Sequence, residues 1–485
     1  MVFSSPLFLF AFLPLVLTVY FLAPRKLRNL VLLLASLLFY AWGEPAFVLV
    51  MLASIAWNYI AGLAVHLTRK TAASKTVLAI AIAVNLGVLA YYKYAGFLLD
   101  QLNWALTGLG VHGVRYHSIL LPLGISFFTF QSISYLIDVF RGEANVQRNP
   151  INLALYIALF PQLIAGPIVR YHDVAVQIVK RTVTRAGFAD GIRRFIWGLG
   201  KKVLLANTVG VVADAIFALP TNELSATVAW LGVICYSLQI YFDFSGYSDM
   251  AIGLGRMFGF RFQENFNYPY IAVSVTDFWR RWHISLSSWF RDYLYIPLGG
   301  NRVSVKRLYA NLLTVFLLCG LWHGASWTFV LWGVFHGALL VGERLGLRRF
   351  TARLGPGQHL YLLLVVMLGW VLFRAETLTE ASSYYAAMFG AGNAVGKYPL
   401  AMFVSPGLIA AMIAGGIAAT PTLPWVRSYW QHNPNGPSSD PTLAQWSWRQ
   451  AGWLAGSVVI PLVVFAGSVI VLSASTYNPF IYFRF

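Results

Sequence analysis

Residues 6–28 read PLFLFAFLPLVLTVYFLAPRKLR. The run from Pro6 to Ala23 is apolar almost throughout, and Arg25, Lys26 and Arg28 follow it. A membrane-spanning helix needs about 20 such residues. A cleaved signal peptide would need a basic start and a small-residue cleavage site, and neither is present. The run therefore reads as an uncleaved span. Further apolar runs follow at Leu30–Trp42, Ala46–Leu67 and Thr76–Tyr92, with Arg69, Lys70 and Lys75 between the last two. Basic residues collect on the cytoplasmic side. Both basic clusters satisfy that rule if the N-terminus lies outside the cytoplasm.

Composition extends this reading to the whole chain. Of 485 residues, 58 % are hydrophobic and only 11 % charged. Soluble chains carry about 25 % charged residues, so a soluble fold would lack polar surface to cover itself. Disorder needs low hydrophobicity and is excluded. The expectation is an all-α polytopic membrane protein, with roughly ten to fourteen spans at about 20 residues each. Its formal charge of +18 comes from 35 basic and 17 acidic residues. In a membrane protein that excess reads as cytoplasmic loops facing anionic lipid, not nucleic-acid binding. Cys235 and Cys319 both sit in apolar runs and offer neither a disulfide framework nor metal spacing.

Later candidate spans are Ile119–Phe140, Ile151–Gly166, Ala226–Phe244, Asn311–Leu321, Thr328–Val341, Tyr361–Phe373, Pro406–Ala419 and Ala455–Ser473. Several are short enough to be buried half-helices, which the bilayer tolerates only where protein or a water-filled cavity covers the backbone. The stretch Gln431–Arg449, rich in Pro, Ser and Asn, reads as an exposed loop. The chain divides into N-terminal spans (1–92), a catalytic core (118–342) and C-terminal spans (358–485) within one membrane domain. No internal repeat supports a transporter built from inverted halves.

Chemistry concentrates in two stretches. Gln239–Arg302 interleaves polar and apolar residues and holds Asp243, Asp249, Glu264, Asp277 and Asp292 with Arg256, Arg261, Arg280, Arg281, Arg291 and Arg302. Ionisable groups at membrane depth normally face a cavity or a partner. The set reads either as a polar chamber or as a solvated interfacial layer. Within it, Asp277–Leu294 reads as one helix with Thr276 as N-cap and Trp279, Trp282, Leu286 and Trp289 as an interface stripe. Arg280 and Arg281 suit the phosphates of an anionic substrate, or lipid headgroups. The second stretch, Leu317–Glu343, carries His323 between two apolar runs and His336 inside the next span. A neutral imidazole is a suitable general base near pH 7, and a membrane histidine is as often just a hydrogen-bonding partner of a neighbouring helix. His323 and His336 lack metal-ligand spacing, so no metal site is expected.

These residues carry a resemblance. LLASLLFYAWGEP, LPLGISFFTFQSISYLIDV, FPQLIAGPIVR, YFDFSGYSDMAIGLGRMFGF, FWRRWHISLSSWFRDYLYIPLGGNR, LWHGASWTFVLWGVFHG and NPFIYFRF occur in this order. Over nearly its whole length the chain resembles the membrane-bound O-acyltransferase family, and within it the membrane subunits of bacterial alginate O-acetyltransferases. The resemblance implies an all-α bundle of roughly 11–13 helices around a funnel, with short re-entrant and interfacial helices, in the bacterial inner membrane, and acyl transfer from a thioester to a hydroxyl. It places the family's invariant histidine on His323 and its second functional histidine on His283. Asp243 and Asp249 match the family pattern, with pairing to Arg280 or Arg281 expected. Arg280, Arg281 and Arg291 are candidates for donor phosphates, and Trp322 and His336 complete the candidate binding residues.

The resemblance implies acetyl-CoA or another acyl thioester as donor, with no tightly bound cofactor. It also implies a periplasmic SGNH-type acetyltransferase partner and an exopolysaccharide synthesis and export complex, with membrane lipid around the chain. Rival readings are D-alanyl transfer toward teichoic acid, acylation of cellulose, lipid or protein, and a non-enzymatic transporter or scaffold. The aromatic tail Tyr482–Phe485 is a candidate partner contact or interface anchor.

Overall fold

The structure, a computed structural model, describes residues 1–391, 397–422, 448–475 and 477–479. Among them no strand occurs, and 9 helices are long and apolar enough to cross a membrane. The order is α1 (Phe8–Leu22), α2 (Arg28–Gly43), α3 (Val48–Thr68), α4 (Ser74–Gly108), α5 (Ile125–Arg141), α6 (Pro150–Ala158), α7 (Phe160–Leu163) and α8 (Tyr171–Val179). Then follow α9 (Arg185–Phe217), α10 (Ala226–Met257), α11 (Val275–Arg281), α12 (Ile284–Phe290), α13 (Val305–His323) and α14 (Trp327–Gly342). The chain ends through α15 (Gly357–Arg374), α16 (Leu378–Met388), α17 (Pro406–Ala418) and α18 (Trp448–Ala474). The loop expected over Gln431–Arg449 lies outside the described residues except for Trp448 and Arg449, which open α18. The tail Tyr482–Phe485 lies outside them entirely.

The centre of the bundle is α10, with 78 % of its most apolar window buried. Antiparallel to it runs α9, a helix the apolar-run criterion misses. Its sequence is broken by glycines and by Arg194, Lys201 and Lys202, all of which have uses in the packing. A Cβ on Gly198 would lie 2.5 Å from the Gly246 carbonyl oxygen, so the two backbones touch. The charges zip the pair: Lys202 meets Asp243 at 2.6 Å, Lys201 meets Asp249 at 2.7 Å, and Arg194 Nε donates to Asp249 at 2.7 Å. Arg194 also forks onto Glu264. The pairing expected between Asp243 or Asp249 and Arg280 or Arg281 is therefore not formed. The acids belong to α10, whose facing helix already carries three cations. Arg281 instead holds Asp277 one turn back at 2.9 Å, and Arg280 is exposed.

Two expected elements are broken. The apolar run Ile151–Gly166 is no span. It forms the short helices α6 and α7, and residues 153–169 are buried without interruption. At the break, the Phe160 N–H donates to Ser36 Oγ at 3.1 Å, which satisfies backbone that lipid could not. The helix expected over Asp277–Leu294 is two helices, capped by Ser274 rather than Thr276 and interrupted at Trp282-His283. Glu343, at the far end of α14, accepts from the Val275 and Thr276 N–H groups and from Thr276 Oγ1. A carboxylate at a helix N-terminus meets both the orphan donors and the positive end of the dipole.

Connectivity puts Arg25–Arg28 and Arg69–Lys75 at one end of the bundle, with the start of α13 (Lys306, Arg307) there as well. Arg69 donates to the Arg141 carbonyl at 3.1 Å, and Arg141 to the Asp292 carbonyl at 3.1 Å. Gly43, Glu44 and the segment 121–124 lie toward the opposite end.

Candidate active site

His323 is the last residue of α13. The helix stops because Gly324 turns to an extended conformation (φ −162°, ψ 153°) and Ser326 opens α14. The two helices cross as closely as backbones allow. A Cβ on Gly320 would lie 2.3 Å from the Phe329 carbonyl oxygen, and one on Gly333 would lie 2.3 Å from that of Phe316. Only hydrogen fits at that crossing, which fixes the His323 turn against α14.

The His323 ring is buried among Trp322, Trp332 and Phe373, with ring centres 5.0, 5.2 and 5.1 Å away. Its Nδ1 is buried and has no hydrogen-bond partner among the described residues. Buried polar atoms are almost always paired, so an unpaired one asks for an explanation. Beside it lies a cavity of about 500 Å³. Its wall includes Trp322, His323, Lys93, Ser126, Glu44 and Leu121. His323 thus forms part of the wall of a space large enough for part of a substrate.

His283 occupies the break between α11 and α12, in the left-handed region (φ 44°, ψ 54°). A non-glycine residue held there costs about 1–3 kcal/mol and persists where the surroundings determine it. The determinant is Asn265. Its Oδ1 accepts from the Ser285 N–H (3.2 Å) and Oγ (2.9 Å) and lies 3.1 Å from His283 Nδ1. Its carbonyl accepts from the Ile284 N–H at 2.9 Å, and its Nδ2 donates to Ser248 Oγ at 3.0 Å. A backbone N–H can only meet an acceptor, so Oδ1 is the oxygen and His283 Nδ1 carries the proton. The ring is therefore the tautomer whose Nε2 is the acceptor. Burial pushes its pKa down to about 3, which keeps it neutral at pH 7. Trp322 lies between the two histidines, 6.2 Å from the His283 ring and 5.0 Å from that of His323.

The remaining candidates separate. His336 accepts the Trp279 indole N–H through Nδ1 at 3.4 Å, within rings of Trp332 and Trp279, and is not on the cavity wall. Arg291 is exposed and bonds Asp292 at 2.7 and 3.0 Å. Asp292 also receives Arg170 at 2.5 Å. Near it, Asp138, Glu143 and His172 come close enough to suggest a metal site. Both His172 nitrogens face carboxylates, Asp138 at 3.0 Å and Asp173 at 3.2 Å. Hydrogen bonds to Asp138 and then Asp173 raise its pKa to about 10. When protonated, the imidazole forms an ion pair with both Asp138 and Asp173. Tyr293 donates to the other Asp138 oxygen at 2.7 Å.

Asn265 is the site residue that sequence reasoning missed. It lies in the irregular segment QENFNYP (263–269), and only its place inside the polar stretch Gln239–Arg302 signalled it.

Residues 141–379 match the family model "MBOAT, membrane-bound O-acyltransferase family". The chain is 44 % identical over 495 residues to a probable alginate O-acetylase of Pseudomonas putida and 45 % identical over 502 residues to one of Azotobacter vinelandii. Both alignments cover all of both chains. It is 38 % identical over 427 residues to a peptidoglycan O-acetyltransferase of Helicobacter pylori, covering 80 % of each chain. A full-length match at this identity, on an all-helical bundle with 9 membrane-length helices, makes the chain a multi-pass membrane acyltransferase that belongs to the membrane-bound O-acyltransferase family.

Proposed function

We propose that the protein takes an acetyl group from a cytoplasmic thioester and passes it to an extracytoplasmic hydroxyl, for O-acetylation of an exopolysaccharide such as alginate. The observation that carries the reading is the unpaired, buried His323 Nδ1 beside a cavity of about 500 Å³. His323 accepts the proton of the acceptor hydroxyl as its oxygen attacks the thioester carbonyl. The carbon–sulfur bond then breaks, and the His323 imidazolium returns the proton to the sulfur, which leaves as the thiol. General-base help of this kind contributes about 10²–10⁴-fold. Neutral His283, fixed by Asn265, orients a reactant on the other side of Trp322.

Orientation follows from the positive-inside rule. The end carrying Arg25, Arg69 and Lys306 faces the cytoplasm, so Glu44, segment 121–124 and the cavity face outward. CoA is highly charged and cannot enter hydrocarbon, so donor and acceptor approach from opposite ends and meet at His323. Arg280, exposed at the foot of α11, is a candidate for the donor's phosphates. Arg281 and Arg291 are already engaged by Asp277 and Asp292 and are weaker candidates. The relatives named as alginate O-acetylases favour a polysaccharide acceptor. In this reading an SGNH-type periplasmic partner carries the acetyl group to it.

The test is transfer of label from acetyl-CoA by purified protein in nanodiscs, to polysaccharide fragments or to the partner, comparing wild type with His323→Ala. Transfer by wild type alone is expected. Equal transfer by both overturns the role of His323. Transfer by neither, with D-alanyl-carrier protein accepted instead, overturns the acetyl reading.

A further inference from the structure

The helix that carries His323 ends without the usual cap. The last four carbonyls of an α-helix have no intrahelical partner, and many helices satisfy them by folding back through a left-handed glycine. Gly324 is extended, and its N–H reaches only the Gly320 carbonyl at 3.2 Å. The other three carbonyls, of Leu321, Trp322 and His323, are met from α4. Tyr94 donates its hydroxyl to Leu321 O at 2.7 Å. Lys93 Nζ donates to Trp322 O at 2.5 Å and to His323 O at 3.2 Å. The third contact of the ammonium is Ser126 Oγ at 3.5 Å, in the first turn of α5. One lysine therefore joins α4, α5 and the end of α13 on the wall of the cavity.

A lysine here needs a reason. Lys93 stands alone in the apolar run Leu86–Leu99, and a charge within a span is costly unless it has partners or a function. A cation at a helix C-terminus meets the negative end of the dipole, and two adjacent carbonyls are the strongest acceptors that end offers.

We propose that Lys93 is a positioning residue for acyl transfer. Its ammonium, seconded by the Tyr94 hydroxyl, clamps the last turn of α13 and so fixes the His323 ring against the cavity. Lys93 does not exchange the proton itself, since its donors are committed to Trp322, His323 and Ser126. The inference rests on His323 being the base. A displacement of about 1 Å at such a group can cost about 10²-fold, without altering how the donor binds.

The experiment measures kcat and KM for acetyl-CoA in nanodisc-held wild type, Lys93→Met, Lys93→Arg, Tyr94→Phe and His323→Ala. Lys93→Met is expected to lower kcat by about 10²-fold with KM unchanged. Lys93→Arg, which keeps a cation and several donors, should recover most of that loss. Tyr94→Phe should lower kcat less than Lys93→Met. Wild-type kcat in Lys93→Met overturns the proposal, and so does a raised KM at unchanged kcat. If Lys93→Met does not elute as a folded protein, Tyr94→Phe decides: full kcat there overturns the clamp. Activity surviving in His323→Ala would instead remove the reading beneath it, whereas inactive His323→Ala beside fully active Lys93→Met breaks this inference alone.

Discussion

The two histidines flanking Trp322 are held in opposite ways. His283 sits on strained backbone, and its ring is tied to Asn265, which also ties Ser285 and Ser248. His323 sits on relaxed helix, with its carbonyl clamped from α4 and its Nδ1 unpaired among the described residues. One imidazole has its tautomer dictated before substrate arrives. The other has its position dictated and its hydrogen bonding left for a ligand. The proposed transfer would use both properties, and the chain divides them between two residues.

The harshest way to break this contrast is His323→Ala, expected to lower transfer by about 10²–10⁴-fold with the elution profile and melting temperature kept. Asn265→Ala comes next. It leaves the Ser285 N–H and His283 Nδ1 without their acceptor, which should cost about 1–3 kcal/mol of stability, read as a lower melting temperature, along with most of the transfer rate. His283→Asn sharpens the contrast, because asparagine tolerates left-handed backbone. That variant should melt near wild type yet transfer about tenfold more slowly, as expected for one lost interaction of about 1.4 kcal/mol.

The smallest effects are in pH. His283 has a folded pKa near 3, below its unfolded value of about 6.5. Its contribution to stability is present above about 6.5 and is lost as pH falls toward 3. His172 is the reverse: its folded pKa is about 10, so its contribution is full below about 6.5 and is lost as pH rises toward 10. Melting curves from pH 5 to 9 should show His283→Asn flattening the acid limb and His172→Gln the alkaline limb. If the two variants shift the same limb, the assigned charge states are wrong.

Much of this molecule was legible in its sequence, and the failures have a common cause. Apolar runs located the helices that face lipid, because lipid demands an unbroken apolar surface. They missed α9, whose Arg194, Lys201 and Lys202 face acids of α10 rather than lipid. They also overread Ile151–Gly166, where protein on all sides permits a backbone break. The helix expected over Asp277–Leu294 failed at His283, since period alone carries no sign of a left-handed residue. His323 stood out by its place between two apolar runs, and motif resemblance singled out both it and His283. Asn265 and Lys93 were not, because each acts through partners more than 15 residues away in sequence, Ser285 being 20 and Trp322 229 removed.

The length of α4 has a practical consequence. Its 35 residues span about 52 Å at 1.5 Å per residue, against a hydrocarbon layer of about 30 Å. Its last turns, Leu98–Gly108, include no buried residue and bring Asp100, Gln101 and Asn103 among the apolar ones. A protein otherwise sunk in the bilayer thus owns a rigid mast. An antibody fragment raised against that mast would give electron microscopy a fiducial. Whether it labels intact spheroplasts would also report which face of the membrane the mast stands on.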